Sequence, residues 1–553
     1  MNDFERKLRN TPLRQPPAEW RDEILGSLSA KKADADNPLA RSPSETSPQR
    51  SFGKTESGPT RGKSRPFVAF LLKPATIFCL FIATVVTGGA ALFVGANSAG
   101  RTAWERYSEE ASARGVKMSL PELLPAPVPD AENFAAVPLF TNLFSEDEAV
   151  RKKASEALDL NFLQREKEAR HTAFGTGTLC RLVDWQASFL KTGDLPVASA
   201  DPAADVLRAI EHRFGPDLAE LAEAERRPHA VFPVKWELGI AAMLPHMQQI
   251  QKAAKVHALR LSAHLARRNT AAADAEFRGL LRLYRALEKE PTLISGLVRI
   301  SVLQLAVSGV WEGVVTGAWD AASLERIQSD LAGFDLLADA LFAMNSERAL
   351  MNDALESARA GKTPFPGAEM GLGEDPARQM LLRAIPKIPG WISLNQIAMN
   401  RFHDQFPARI DVAAARFHDT GETDAELQTI NRSIVKQHIY ALYRLMIPSI
   451  TIVEKKFLYT HTTLQLTTLA CALERCRLAE GAYPETLASL VPRYVSALPH
   501  DVMNGEPLHY RRTADGKFLL YSVATNGTDD GGAIGEKKQD ATQLDWAWRW
   551  PVP

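Results

Sequence analysis

Residues 74 to 100 of this chain, PATIFCLFIATVVTGGAALFVGANSAG, carry no charged side chain and are bounded by Lys73 and Arg101. About 20 consecutive apolar residues are enough for a helix to cross roughly 30 Å of hydrocarbon. Such a helix satisfies its own backbone hydrogen bonds in lipid. Ala75 to Val94 meets that length, with Ile77, Phe78, Leu80, Phe81, Ile82, Val85, Val86, Leu92, Phe93 and Val94. We therefore expect a transmembrane helix over residues 74–98. A cleaved signal peptide begins with a short polar region, whereas about 70 residues precede this apolar run, so the pattern predicts an uncleaved signal anchor. Lys54, Arg61, Lys63, Arg65 and Lys73 lie before it, and Arg101, Arg106, Arg114 and Lys117 after it. That excess of basic residues on the N-terminal side predicts a cytoplasmic N-terminus and a single pass, with the bulk of the chain on the other side.

The 553 residues allow two or three domains, and the formal net charge of −1 gives no basic balance for nucleic acid to exploit. Four cysteines are present, of which Cys79 falls in the apolar stretch. Cys471 and Cys476 are five residues apart on an expected helix and do not share a face, so no disulfide framework is expected.

Taken in order, residues 1–30 suggest a short cytoplasmic helix, with Trp20, Ile24, Leu25 and Leu28 at helical spacing after Pro16 and Pro17. Residues 31–65 are rich in Ser, Pro, Lys, Arg, Thr and Gly and read as a disordered linker. Residues 118–140 carry prolines at 121, 125, 127, 129 and 138, which forbid a continuous helix. They are expected to form an extended strap, pinned by Phe134, Leu139 and Phe140.

Residues 141–446 read as helix after helix. Leu280, Leu281, Tyr284 and Leu287 have the spacing of a buried stripe. Pro291 can occupy the first turn of the next helix. That helix, read over residues 292–311, is apolar nearly all round, with Arg299 its only charge, and is expected in the core rather than in a membrane. Thr423 and Glu426 fit a capping box. The array is similar to a solenoid of antiparallel helix pairs, but no fixed period is present, so an irregular, solenoid-like helical domain is expected.

Motifs of metalloproteases, serine hydrolases and dinucleotide-binding folds are absent from the sequence. His257 and His264 share a helix face but lie two turns apart, too far for one ordinary zinc site. His403 and His418 flank a helix break. No catalytic residue can be assigned, and whether the chain is an enzyme stays open.

Residues 448–553 are more specific. A long helix is expected from about Pro448 to Glu480, ended by Gly481. Pro507 to Tyr510 starts a strand, Asp515-Gly516 signals a tight hairpin, and Lys517 to Val523 returns. The run Gly481-Ala482-Tyr483-Pro484, Leu498-Pro499-His500-Asp501, Gly505-Glu506-Pro507-Leu508-His509-Tyr510, Ser522 to Gly527 and Gly531-Gly532 resembles the soluble domain of the type II secretion major pseudopilins. The chain as a whole resembles longer single-span proteins of the bacterial envelope. The resemblance implies a small α+β pilin-like domain over 448–553 and a calcium site in the loop after the sheet. Its oxygens would come from Asn526, Asp529, Asp530, Asp540 and Asp545, and calcium favours six to eight such ligands. Asn526 stands where the family commonly has aspartate. The Gly-Phe processing site and following glutamate of pilin-like subunits are missing, since the apolar stretch is preceded by Arg65-Pro66-Phe67. The tail WAWRWPVP alternates as an edge strand does.

The expected fold is thus mainly α, with one transmembrane helix, an irregular multi-helix domain and a small α+β module. The expected location is the bacterial inner membrane. The expected role is an extracytoplasmic scaffold or interaction protein, with membrane lipid along 74–98 and envelope or secretion proteins as partners, and no nucleic acid. The alternatives are an enzyme with its site among the helices, and a divergent pseudopilin subunit.

Overall fold

The computed structural model describes residues 95, 97–160, 171–360, 389–419, 421–533 and 544–551. The expected short helix at 1–30, the linker at 31–65 and the membrane helix at residues 74–94 lie outside the described residues. Two units are separable, Gln15–Thr102 and a larger one of Ala103–Pro553 with Met1–Arg14. In the first, the described residues are 95 and 97–102, and they are helical. The second is mainly helical, with sheets of two and three strands.

Residues 103–113 are helical. Trp104, Tyr107 and Ala111 are buried in one cluster with Met118 and Ile397. The proline-rich segment continues as short 3-10 turns, Leu120–Glu122, Asp130–Glu132 and Phe134–Ala136. It is held along its length. Leu120 N–H donates to Asp353 at 2.8 Å. Asn133 accepts from the amides of Ala135 and Val231 and donates to Val231 O. Phe134, Leu139 and Phe140 are buried. Phe134 and Phe140 meet Phe232 with ring centroids 6.4 and 5.7 Å away, and Arg282 lies 5.1 Å over the Phe134 ring.

The longer helices of the body are α1 (Leu182–Thr192), α2 (Pro202–Glu225), α3 (Pro245–Ala266), α4 (Thr270–Ala286), α5 (Leu293–Val315), α6 (Ala321–Leu331), α7 (Leu336–Arg359), α8 (Pro389–Asp404), α9 (Glu422–Asn431) and α10 (Ala441–Glu480). Helices α1 to α4 each pack on the next in sequence, and α3 and α5 also meet each other. Helix α5 further contacts α7 and α10, so it is enclosed from several sides. Between α8 and α9 lies a small antiparallel hairpin of β1 (Ile410–Asp411) and β2 (Arg416–Phe417).

Among the described residues α5 is the one helix long and apolar enough to cross a membrane, and 78% of its most apolar window is buried inside the protein. Thr292 caps it, accepting from Ser295 N–H at 2.9 Å, so Pro291 lies outside the first turn rather than in it. Its Arg299 is buried and engaged. The guanidinium donates to Asp339 at 2.8 Å and lies 4.3 Å over the Tyr284 ring, whose hydroxyl also donates to Asp339. Close approach on α5 depends on glycine. A Cβ at Gly309 would lie 2.6 Å from Leu261, and one at Gly313 would lie 2.0 Å from the Trp319 indole nitrogen.

Helix α10 begins at Ala441, earlier than the expected Pro448, which sits inside it. The reason is a cap supplied from another helix. Asn395 of α8 accepts from the amides of Leu442 and Tyr443 and donates to Ile439 O at 2.7 Å. The Thr423–Glu426 capping box does not form. Gly421 occupies the N-cap in the left-handed region, Thr423 meets Arg409, and Glu426 accepts from the Tyr443 hydroxyl instead.

Beyond α10, Gly481 in the left-handed region (φ +86°) ends the helix and its amide returns to Arg477 O. Three antiparallel strands complete the chain, β3 (His509–Arg512), β4 (Phe518–Ser522) and β5 (Trp546–Ala547), in the order β3-β4-β5. The β3–β4 turn is a three-residue loop, longer than the expected two. Gly516 N–H donates to Thr513 O, and Thr513 N–H to Lys517 O, with Gly516 at φ +76°. Asp501 is fully buried and accepts from Met503 N–H and Val523 N–H, which ties the Leu-Pro-His-Asp turn to the end of β4. The β1–β2 hairpin grips that same turn through Phe417 N–H to Val502 O, Arg416 to Asn504 O and His500 to Ala414 O. Cys471 and Cys476 are free thiols.

Removing one partner of a buried ion pair leaves an uncompensated charge, at a cost of about 3–5 kcal/mol. Asp339→Asn is therefore expected to lower unfolding free energy by that amount in urea titrations. The double change Arg299→Leu with Asp339→Leu should cost less than the sum of the single changes. An Asp339→Asn effect below about 1 kcal/mol would contradict this role for the pair.

Candidate functional site

The structure gathers most of the sequence-derived site residues at the turn after β4. Asp529 accepts from the Tyr521 hydroxyl and from Gly531 N–H, both at 2.9 Å, and lies 3.5 Å from His509. The His509 and Tyr521 rings stack at 4.7 Å. Asn526 donates to Asp530 at 2.9 Å and accepts from Thr528 N–H. Asp545 is buried and accepts from Asp530 N–H at 3.1 Å and Gly532 N–H at 2.7 Å through the same oxygen. Its second oxygen is buried without a hydrogen-bond partner among the described residues. Asp540 lies outside the described residues.

Burial raises the Asp545 carboxyl above the usual range, and the nearby Asp530 and Asp529 charges push it the same way. The Gly531 amide and the Tyr521 hydroxyl hold Asp529 below it. The donors are carboxylate and amide oxygens, the chemistry of a hard cation. The buried orphan oxygen of Asp545 fits such an ion. Most of the other named oxygens are already engaged by protein donors. Among the described residues no group of three or more His, Cys, Asp or Glu side chains converges as a metal site.

Inside the helical body the ionisable side chains form joints between helices. His257 of α3 sits between two carboxylates, 2.9 Å from Glu225 at the end of α2 and 2.7 Å from Glu276 of α4. Arg260 donates to the other Glu276 oxygen at 2.7 Å, and His264 lies 3.9 Å from it. The two histidines therefore do share a face, and what they share is Glu276. Burial works against the His257 cation, but Glu225 and Glu276 outweigh it and hold its pKa up at about 10. Burial likewise opposes the Glu276 anion, yet His257 and Arg260 hold it below the usual range.

A second pair joins His246 of α3 to Glu290 before α5 at 2.8 Å, with Phe232 stacked on the imidazole at 4.1 Å. Glu312 of α5 accepts from the Ser262 hydroxyl and from Cys180 N–H, and its burial raises it to about 7. Burial also raises the Cys180 thiol, with Glu312 adding to it, so the sulfur is held as an unreactive thiol. Glu454 of α10, paired with Arg409 at 2.7 Å, is raised to about 7 by burial. Of the histidines at the helix break, His403 is buried and driven down to about 3 by burial, with Arg348 contributing, and His418 is exposed. None of these pairs was readable from spacing, because each partner comes from a different element of the chain.

At the start of the unit Asp404 gathers three donors. Tyr107 O–H reaches it at 2.7 Å and Arg114 at 3.3 Å, and Arg348 reaches the other oxygen at 3.1 Å. Compared with models of protein families, with curated proteins and with solved structures, the chain matches none.

The His257 joint has a defined pH signature. A raised cationic pKa adds stability that is complete below the unfolded value near 6.5 and is lost as pH rises toward about 10. The lowered Glu276 adds stability that is present above its ordinary value near 4.5 and is lost on acidification. His257→Gln is expected to reduce the urea midpoint most between about pH 5 and 6.5, with the difference from the parent closing as pH approaches about 10. A difference independent of pH would contradict the charged joint.

Proposed function

We propose that the chain is a single-pass, membrane-anchored scaffold or interaction protein of the bacterial envelope. Its N-terminus lies in the cytoplasm and its helical body and terminal sheet lie beyond the inner membrane, near a secretion apparatus. The observation that carries this reading is the Asp404 hub. It fastens residues 103–114, which follow the charge-free stretch in sequence, to α7 and α8 through Tyr107, Arg114 and Arg348. In sequence, the first residue of this segment, Ala103, follows the expected anchor closely. Two further features support the reading. Helix α10 carries both the helical body and the sheet. Several buried carboxylates and histidines of the body, among them His257, Glu276, His246, Glu290 and Glu454, are engaged in joints between helices.

The finer assignments belong to the same proposal. The helix pairs from α1 to α4 act as solenoid-like units, each buried by its neighbour. The terminal sheet with the end of α10 is a pilin-like module, resembling the pseudopilins through its glycine, proline and aspartate positions from Gly481 to Gly532. We further propose that Asp529, Asp530 and Asp545, with Asn526 and Asp540, hold calcium.

Crosslinking of the full-length protein in membranes, mild-detergent extraction and affinity purification tests the scaffold reading. Stoichiometric recovery of envelope or secretion proteins is the expected outcome. Recovery of the protein alone contradicts it. For the acidic turn, millimolar calcium is expected to raise the melting temperature of the full-length protein, and Asp545→Asn should abolish the rise. No shift in the parent protein removes the calcium assignment.

A further inference from the structure

Among the described residues the β3 edge of the terminal sheet is unpaired, and its backbone geometry defines what fits there. The turn bond from Thr513 N–H to Lys517 O makes that pair hydrogen-bonded. In an antiparallel ladder such pairs alternate. With Arg511 opposite Leu519 and His509 opposite Tyr521, residues 509 and 511 direct their N–H and C=O groups at β4. Tyr510 and Arg512 direct theirs outward. The far side of β4 obeys the same alternation, since Leu520 O accepts from Trp548 N–H and Phe518 O accepts from the Trp550 indole. That side is closed by β5, whose Trp546 lies against Tyr459 of α10. The outward N–H and C=O groups of Tyr510 and Arg512 have no partner among the described residues.

The side chains select the occupant. Tyr510 and Arg512 point to one face, where the Tyr510 hydroxyl donates to Pro484 O and Arg512 pairs with Glu485. Arg511 points to the other face, is exposed, and makes no ion pair among the described residues. A second copy of this chain is disfavoured at the edge. Symmetric antiparallel pairing centred on Arg511 sets two arginines directly opposite each other, and like charges there are destabilising. The same charge and the four-residue length keep the edge from self-aggregating.

We propose that the β3 edge is a docking site for an extended segment of a partner protein. The segment adds as a fourth strand through the outward groups of Tyr510 and Arg512, with a carboxylate side chain set beside Arg511. Backbone bonds supply the attachment and the Arg511 position supplies the selectivity. The inference stands on the sheet geometry and goes beyond the scaffold reading, which concerns how the body is anchored.

The test uses full-length protein in lipid nanodiscs and hydrogen exchange resolved at residues 508–513. The probes are two capped five-residue peptides, one alternating valine with glutamate and one alternating valine with lysine. The glutamate peptide is expected to slow exchange at the Tyr510 and Arg512 amides. Arg511→Glu should weaken its binding at least tenfold and reverse the preference toward the lysine peptide. Arg512→Pro removes an outward N–H while leaving the bonds to β4, a change tolerated at sheet edges. It is expected to abolish protection at Tyr510. Equal protection by both peptides, no protection by either, or binding that survives Arg512→Pro overturns the proposal. Protection that appears without peptide and grows with protein concentration assigns the edge to a second copy, and overturns it as well.

Discussion

Helix α10 is the element on which the rest depends, and its difficulty is that it is buried along most of its length. Its 40 residues rise about 60 Å, and it contacts α5, α6, α7 and α8 as well as β4 and β5. A helix enclosed on so many sides cannot place its polar side chains in water. Four of its threonines solve this internally, while the buried Thr462 hydroxyl has no partner among the described residues. Thr460, Thr463, Thr467 and Thr468 each donate to the carbonyl four residues earlier. Its buried glutamates are each matched by a specific partner, Glu454 by Arg409 and Glu474 by Arg477 and Tyr483. The hydroxyls also allow close packing, as where Gln304 of α5 reaches Thr460 at 3.0 Å.

The consequence is that the body and the terminal sheet share one backbone element rather than meeting across a linker. The β1–β2 hairpin reinforces this from the side by holding the turn at 500–504. The strap at 118–140 and the residues at 103–113 are then fastened to the same body by Asp353, Asn133 and Asp404. Each fastening is a short polar side chain bonded to backbone groups or to several donors. Such contacts set position, and they explain how a segment with five prolines is held in place without a continuous helix.

Much of this architecture was legible in the sequence, for identifiable reasons. The stripe at 280–287 and the near-uniform apolarity of α5 state burial directly, and Arg299 signalled a core helix because a charge in so apolar a run needs a partner. Gly481, Asp515-Gly516 and the alternating tail name a helix end, a turn and an edge strand by local chemistry. The misreadings have a common cause. The early start of α10 comes from Asn395 of another helix, the Thr423–Glu426 box was displaced because Tyr443 took Glu426, and the histidine joints are made across α2, α3 and α4. Local spacing carries no record of a partner on a different helix. Of the candidate ligand positions, Asp529, Asp530, Asp545 and Asn526 lie at one turn, and what the sequence did not show is that backbone amides and Tyr521 already occupy several of their oxygens.

The central claim is that α10 makes the helical body and the terminal sheet one cooperative structure. Native-state hydrogen exchange of the α5 amides, compared between the full-length protein and its Asp501→Asn variant, tests it most directly. The Asp501 carboxylate bonds the amides of Met503 and Val523, far in sequence from α5. The account predicts that the most protected α5 amides lose the same free energy of opening as the β4 amides, because both open together. Unchanged protection in α5, with protection lost only in the sheet, would show two independent units and contradict the account.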